Sequence, residues 1–423
     1  MSGFKSAVWI FILGFLSVSG LATAQETGQL RQETGGYIER VEKVLQTDRG
    51  KTLYAISDLG SIKVDAWDRD EVRVVVEKRA DVFTESEAKA VFADLQTLIR
   101  PESRGVYVRV ASQSGRQPRS LSVRVHLTVP NGYHVDLQTG GGGIEIGDLE
   151  GNVKARTSGG GIQVGRVTNG SVDIETSGGG LTITSVWKGD ARARTSGGGI
   201  NVGQVSGNLD VQTSGGGITI QSAGKNTSAR TAGGGIKVGA SGGDLHVETA
   251  GGGITIGPTS GEVVAKTAGG GISIGPTHSA VTAETAGGGI RVDGSGGPVR
   301  VSTSGGSIKI TEARGYIEAR TAGGGIEAEL VVADKAIDTH CTLETAGGNI
   351  TIYLPENLTA TVDAQLRIEH RVDRSYRIYS DFPLVIQGDD TNRITGSGDI
   401  NGGGRPIRLS TVNGDIYIKK LRK

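Results

Sequence analysis

Few residues in this chain have the type and spacing to do chemistry. Asp389-Asp390, after Gly388, form a carboxylate pair that could do acid–base work on a glycosidic bond. Set before Thr391-Asn392, the same pair reads more cheaply as a solvated turn. His340 beside Cys341 adjoins an imidazole to a thiol, and nothing nearby in the sequence orients the pair as a nucleophile and base. His126, His134, His246, His278, His340 and His370 lack metal-ligand spacing, and no Ser/His/Asp arrangement stands out. The many Gly-Gly-Gly runs lack the strand–loop–helix context and the lysine of a phosphate-cradling loop. A calcium-binding repeat would need an Asp in each nonapeptide, and Thr-Ala-Gly-Gly-Gly-Ile-Thr-Ile-Gly has none. The sequence therefore assigns no catalytic, cofactor or metal site.

One set of charged residues does recur. It alternates in sign through Arg156, Glu175, Arg194, Arg230, Glu248, Lys266, Glu284, Arg320 and Glu344, with Gln212 and Ser302 between. On parallel strands about 4.8 Å apart these side chains would form an outward ladder. Each exposed pair adds only about 0–1 kcal/mol, so register is the better use for them. A ligand-binding stripe is the rival reading.

The elements that must carry this ladder follow from one period. The branched residue after each glycine run falls at Ile144, Ile162, Leu181, Ile200, Ile218, Ile236, Ile254, Ile272, Ile290, Ile308 and Ile326. The steps are 18, 19, 19 and then 18 seven times. A short fixed period is the signature of a solenoid. Counting each repeat from its threonine, positions 6, 8, 15, 17 and the threonine share inward parity. Position 4 is glycine at fourteen corners, from Gly142 to Gly398 and Gly414, whereas position 5 also accepts Ser307, Asn349, Asp399 and Asp415. Position 4 is thus predicted to need either a positive φ or a close approach to the neighbouring repeat. The fold class expected is all-β: a parallel, right-handed β-solenoid of about 18 residues per coil, the hand following from the crossover rule.

Segment by segment, residues 1–24 read as a secretory signal peptide, with Lys5, the apolar run Ala7 to Val18 and the small residues Ala22-Thr23-Ala24. Residues 25–48 read as a polar leader with helical character, and 49–135 as N-terminal coils. Within these coils the Thr84-Glu85-Ser86-Glu87 capping box and the spacing of Ala88, Val91, Phe92, Leu95, Leu98 and Ile99 predict one amphipathic helix over 84–100. Regular repeats occupy 136–330, and 331–423 form irregular coils and a cap.

Composition narrows the function classes. With 45 basic and 45 acidic residues, the chain shows no electrostatic footprint for nucleic acid. No stretch after the signal peptide is apolar enough to span a bilayer, and the cluster Lys419-Lys420-Leu421-Arg422-Lys423 reads as a solvated end. A single cysteine, Cys341, leaves no internal disulfide. Between His134 and Tyr316 the only aromatic residue is Trp187, so sugar-stacking rings are missing from the repeat faces.

The segment Gly60-Ser61-Ile62-Lys63-Val64-Asp65-Ala66-Trp67-Asp68-Arg69-Asp70, the helical insertion, Val129-Pro130 and the closing Gly402-Gly403-Gly404-x-Pro406-Ile407-x-Leu409-x-Thr411-Val412-Asn413-Gly414-Asp415-Ile416 together carry a family resemblance. Over roughly residues 50–423 the chain resembles the putative adhesin, β-strand-repeat domain of unknown function found in bacterial envelope proteins. That resemblance implies a parallel β-solenoid in the periplasm, envelope or extracellular space, and it brings no catalytic residues. The function expected is an exported, non-enzymatic binding, adhesion-like or scaffold protein with an envelope or surface ligand, protein or glycan. The alternatives are a polysaccharide-active β-helix lyase or hydrolase, and an envelope-stress regulatory component.

Overall fold

A computed structural model of the chain describes residues 28–115, 120–369, 376–388 and 392–422. Residues 1–24, His370 and Asp389-Asp390 lie outside these, and so does the catalytic role considered for that carboxylate pair. The described residues are all β apart from the helix Glu85–Ala93. Two strands per repeat, one in each of two sheets, stack in parallel in a solenoid-like β repeat. In one sheet Ile200 pairs with Ile218, Ile218 with Ile236 and Ile236 with Ile254. In the other, Thr231 pairs with Thr249 and Thr249 with Thr267. Equivalent positions thus stand side by side, and the parity argument holds: Ile254, Ile256, Val263, Ala265 and Thr267 are all buried. One continuous hydrophobic core runs from Val41 to Ile418.

The corners explain the glycines. The position-4 glycine takes no positive φ at Gly160, Gly216, Gly234 or Gly252, so backbone freedom is not the reason for it. A Cβ on Gly234 would lie 2.5 Å from the Gly216 carbonyl oxygen and from the Gly217 Cα, inside the repeat before it. A Cβ on the neighbouring Gly235 would meet the Gly253 oxygen at 3.1 Å and the Gly253 nitrogen at 3.8 Å, and at Ser307 that position does carry a side chain. Close approach of backbone to backbone is what excludes the side chain at position 4.

The inward threonines complete the corner. Thr249 Oγ1 donates to the Gly234 carbonyl at 2.7 Å and accepts the Gly252 N–H at 3.4 Å. The same donor bond of 2.7 Å recurs from Thr231 to Gly216, Thr267 to Gly252 and Thr285 to Gly270. A buried hydroxyl is in this way satisfied without water. A further inward column, at position 11, was missed by the sequence reading. It runs Val167, Val186, Val205, Ala223, Ser241, Thr259, Thr277, Ser295 and Ala313, all buried, and its polar half pairs through isolated bridges.

The two ends depart from sequence order. The strands Thr52–Ser57 and Ser61–Trp67 form an inner repeat, flanked on one side by Gly105–Ser112 and Leu121–Pro130 and on the other by His134–Thr139 and Ile144–Ile146. At the other end, Arg405–Val412 and Ile416–Lys420 dock directly on Cys341–Thr345 and Ile350–Leu354, with Ala360–Arg367 and Ile378–Ser380 outside them. Both ends finish in antiparallel pairs, which stop the parallel ladder from extending.

Three local expectations need correcting. The helix ends at Ala93 with Asp94 as its C-cap, so 84–100 was too long. Leu95, Thr97 and Ile99 instead alternate inward on the strand Leu95–Glu102, a period of two that the apolar set alone mimicked as helical, and Pro101 lies within that strand. The capping box itself is present, with Thr84 Oγ1 accepting from Glu87 N. In the stretch read as a helical leader, Gln29–Glu33 and Gly36–Gln46 form an antiparallel hairpin turning at Gly35. Thr395 to Ile400 is no corner: it belongs to the strand Arg393–Ile400, antiparallel to Ala360–Arg367, so Gly398 is a strand glycine. At the C-terminal end Lys419 and Arg422 are exposed, and Lys419 and Lys420 belong to a strand, where Lys419 Nζ lies 5.3 Å from the Tyr417 ring centre and Lys420 bonds Glu356 at 2.7 Å.

Candidate binding face

The sheet that holds the threonines turns its alternate residues to solvent, and a column of charged side chains stands on it next to the threonines. Arg156 pairs with Glu175 at 3.3 Å, Arg230 with Glu248 at 3.7 Å, Lys266 with Glu284 at 2.9 Å and Arg320 with Glu344 at 3.1 Å. Register brings Glu175 beside Arg194, yet Arg194 turns to Asp210 at 3.1 Å. The reason is a second outward column two residues earlier. There Asp136 pairs with Lys154 at 3.0 Å, Arg192 with Asp210 at 3.2 Å and Arg300 with Glu318 at 3.0 Å. The sequence carries a signal for this column too, as alternating signs at the same outward parity two residues before the one next to the threonine.

A groove of about 770 Å³ follows the first column. Arg230, Glu248, Lys266 and Glu284 line one side and Ala232, Ala250, Ala268 and Ala286 the other, with Gln212 and Ser214 at one end and Ser302 and Ser304 at the other. Six repeats contribute, a length of roughly 24 Å at the usual strand spacing. Because its charges pair with one another, the wall offers hydrogen-bonding groups at every step and no concentrated field. Such a groove suits an extended chain lying along the stack.

His246 stands beside it, 3.9 Å from Glu248. Burial, and then the charge of Arg230, hold its imidazole below the ordinary value of 6.5. His340 immediately precedes the strand Cys341–Thr345 and is partly exposed, whereas Cys341 is fully buried. His340 stacks on Tyr316, ring centres 4.5 Å apart, and bonds Asp338 at 3.0 Å. Cys341 is buried at position 15, in register with Ile317 and Ile407, and burial pushes its thiol up to about 12. The two form no nucleophile–base pair. Among the described residues no group of three or more His, Cys, Asp or Glu side chains could hold a metal ion. Nor, among them, is any helix long and apolar enough to cross a membrane.

Fold and face together define a solenoid-like β-repeat protein with a charged, grooved side. Residues 225–419 match the family model Toastrack DUF4097, a domain of unknown function. The resemblance read from the sequence holds there. The chain is also similar to solved structures: a putative cell adhesion protein of Clostridium sporogenes, at 8% identity over 90% of this chain and 100% of that one, with a TM-score of 0.16. A putative adhesin of Parabacteroides merdae has 11% identity over 90% and 96%, with a TM-score of 0.26. A putative lipid binding protein of Parabacteroides distasonis has 11% identity over 74% and 93%, with a TM-score of 0.21. Likenesses this low carry no argument about function. No curated protein matches the chain.

Proposed function

We propose that this chain is an exported, non-enzymatic binding or scaffold protein of the bacterial cell envelope that lays an extended ligand along its charged face. In this reading it is a right-handed β-solenoid of about 18 residues per coil, with coils 136–330 as the rod and 49–135 and 331–423 as its ends. The observation that carries the proposal is the groove beside the ladder Arg230–Glu248 and Lys266–Glu284. Its polar groups repeat along a line and do not converge on a point, which serves recognition of a polymer better than reaction at one bond.

The test is co-sedimentation of the chain, starting at Gln25, with peptidoglycan sacculi and with extracted envelope polysaccharides. Binding is expected for the intact protein and is expected to weaken when Glu248 and Glu284 are both changed to Lys. Absence of binding to any envelope polymer, or release of reducing ends from one of them, would overturn the reading.

A further inference from the structure

Between Tyr54 and Arg156, at the N-terminal end of the same sheet face, lies a concave site of about 460 Å³. Its geometry follows from register. Arg100 pairs with Tyr107, Tyr107 with Tyr54, Tyr54 with Asp136 and Asp136 with Lys154, so the second charged column ends in two tyrosines side by side. Arg100 sits 4.9 Å from the centre of the Tyr107 ring. Glu102, Arg104, Gln138 and Arg156 complete the rim.

The charges here are unequal. Glu102 is held by Arg100 at 2.9 Å, Asp136 by Lys154 at 3.0 Å, and Arg156 pairs with Glu175 at 3.3 Å. Arg104 is exposed and has no ion-pair partner among the described residues. The site therefore offers two partly exposed aromatic rings, one free guanidinium, and amide and carboxylate groups on Gln138 and Asp136. We propose that it is a subsite for an acidic sugar residue, with Tyr54 and Tyr107 under the apolar face of the pyranose and Arg104 on its carboxylate. This rests on the polymer-binding reading above and names the chemistry of the polymer.

An extended peptide fits less well. Both edges of Thr52–Ser57 and of Gly105–Ser112 are already paired, so neither strand that carries a tyrosine has an edge open for a peptide backbone to join. A sugar needs only ring faces and side-chain hydrogen bonds, and those are what the site presents. The column through Asp136, Lys154, Asp173, Arg192 and Asp210 leads from this site toward the groove, so one polymer could occupy both.

The experiment titrates the chain from Gln25 with a galacturonic acid oligomer, with its methyl ester and with poly-glutamate, following the tyrosine resonances. The acid form is expected to bind about tenfold more tightly than the ester, and Arg104→Gln is expected to abolish that difference. Tyr107→Leu and Tyr54→Leu are expected to weaken the acid form about tenfold, with unchanged circular dichroism as the check on folding. Equal binding of acid and ester, or poly-glutamate binding as tightly as the sugar, would overturn the subsite. If sacculi or polysaccharide bind both tyrosine variants as they bind the parent, the subsite falls and the polymer-binding reading stands. If nothing binds the parent, both fall.

Discussion

The hydroxyl of Thr249 donates a 2.7 Å hydrogen bond to the carbonyl of Gly234, the glycine of the preceding repeat that has no room for a Cβ. The two most repetitive residues of the sequence are therefore one device. The glycine brings adjacent corners close enough for the threonine to reach across, and the threonine satisfies the carbonyl which that approach buries. Removing either should be felt in the other's repeat.

For the glycine, adjacent positions provide their own control. Gly234→Ala is expected to destabilise by about 3 kcal/mol, because backbone and not a flexible side chain must give way. Gly235→Ala is expected to change stability by less than about 1 kcal/mol. Urea denaturation of the two variants side by side checks the contrast, and equal losses would refute it.

For the threonine, Thr249→Val keeps the shape and deletes the hydroxyl, leaving the Gly234 carbonyl without its donor. A loss of about 1–3 kcal/mol is expected, whereas Thr249→Ser should retain most of the bond at the cost of one methyl group. Hydrogen exchange at Gly252, whose N–H donates to the Thr249 hydroxyl oxygen, should quicken in the Val variant alone.

On the outer face, Lys266 stands in register between Glu248 and Glu284. Lys266→Glu places three carboxylates in a row and is expected to cost about 1 kcal/mol at low salt, with most of the loss disappearing in 1 M salt. Adding Glu284→Lys should recover part of it. Thermal melts at the two salt concentrations read the effect directly.

Titration of His246 should show which charges it feels. Its imidazolium is disfavoured first by burial and next by Arg230, while Glu248 favours it. The ring should therefore stay neutral until the pH falls below 6.5. Because the folded value is lowered, any contribution to stability is complete above 6.5 and lost as the pH falls through the folded value. In proton NMR, Arg230→Gln should raise the midpoint and Glu248→Gln should lower it further. A midpoint unmoved by both changes would contradict this account.

Cys341 should behave as a core residue. With its thiol pushed up to about 12 by burial, it is expected to resist iodoacetamide at pH 8 in the folded protein and to react once unfolded in urea. Labelling at equal rates in both states would show that the interior column is open.

Much of the fold was legible because the information is local and repeated. Ile254, Ile256, Val263, Ala265 and Thr267 announce their inward parity every 18 residues, and a strand admits only two faces. The charge ladder was readable for the same reason. Position 11 was not, since a single inward residue that changes from Val167 to Ser241 to Ala313 has no partner two positions away to mark a strand.

The eighteen-residue beat alone thus dictated the strands, their parallel stacking, the inward threonine and the indispensable glycine. Only the folded chain decided how the ends close and which residues meet there. Thr52–Ser57 lies between strands from residues 105–112 and 134–139, and the strand ending at Lys420 docks beside Leu354. The strand Gly105–Ser112 sets Tyr107 next to Tyr54, and no spacing in the sequence foretells that neighbour. A short repeat specifies contacts with the next copy of itself, whereas the ends have no next copy. Their partners are chosen by whichever distant strands can cover an open edge, and that choice is made in three dimensions.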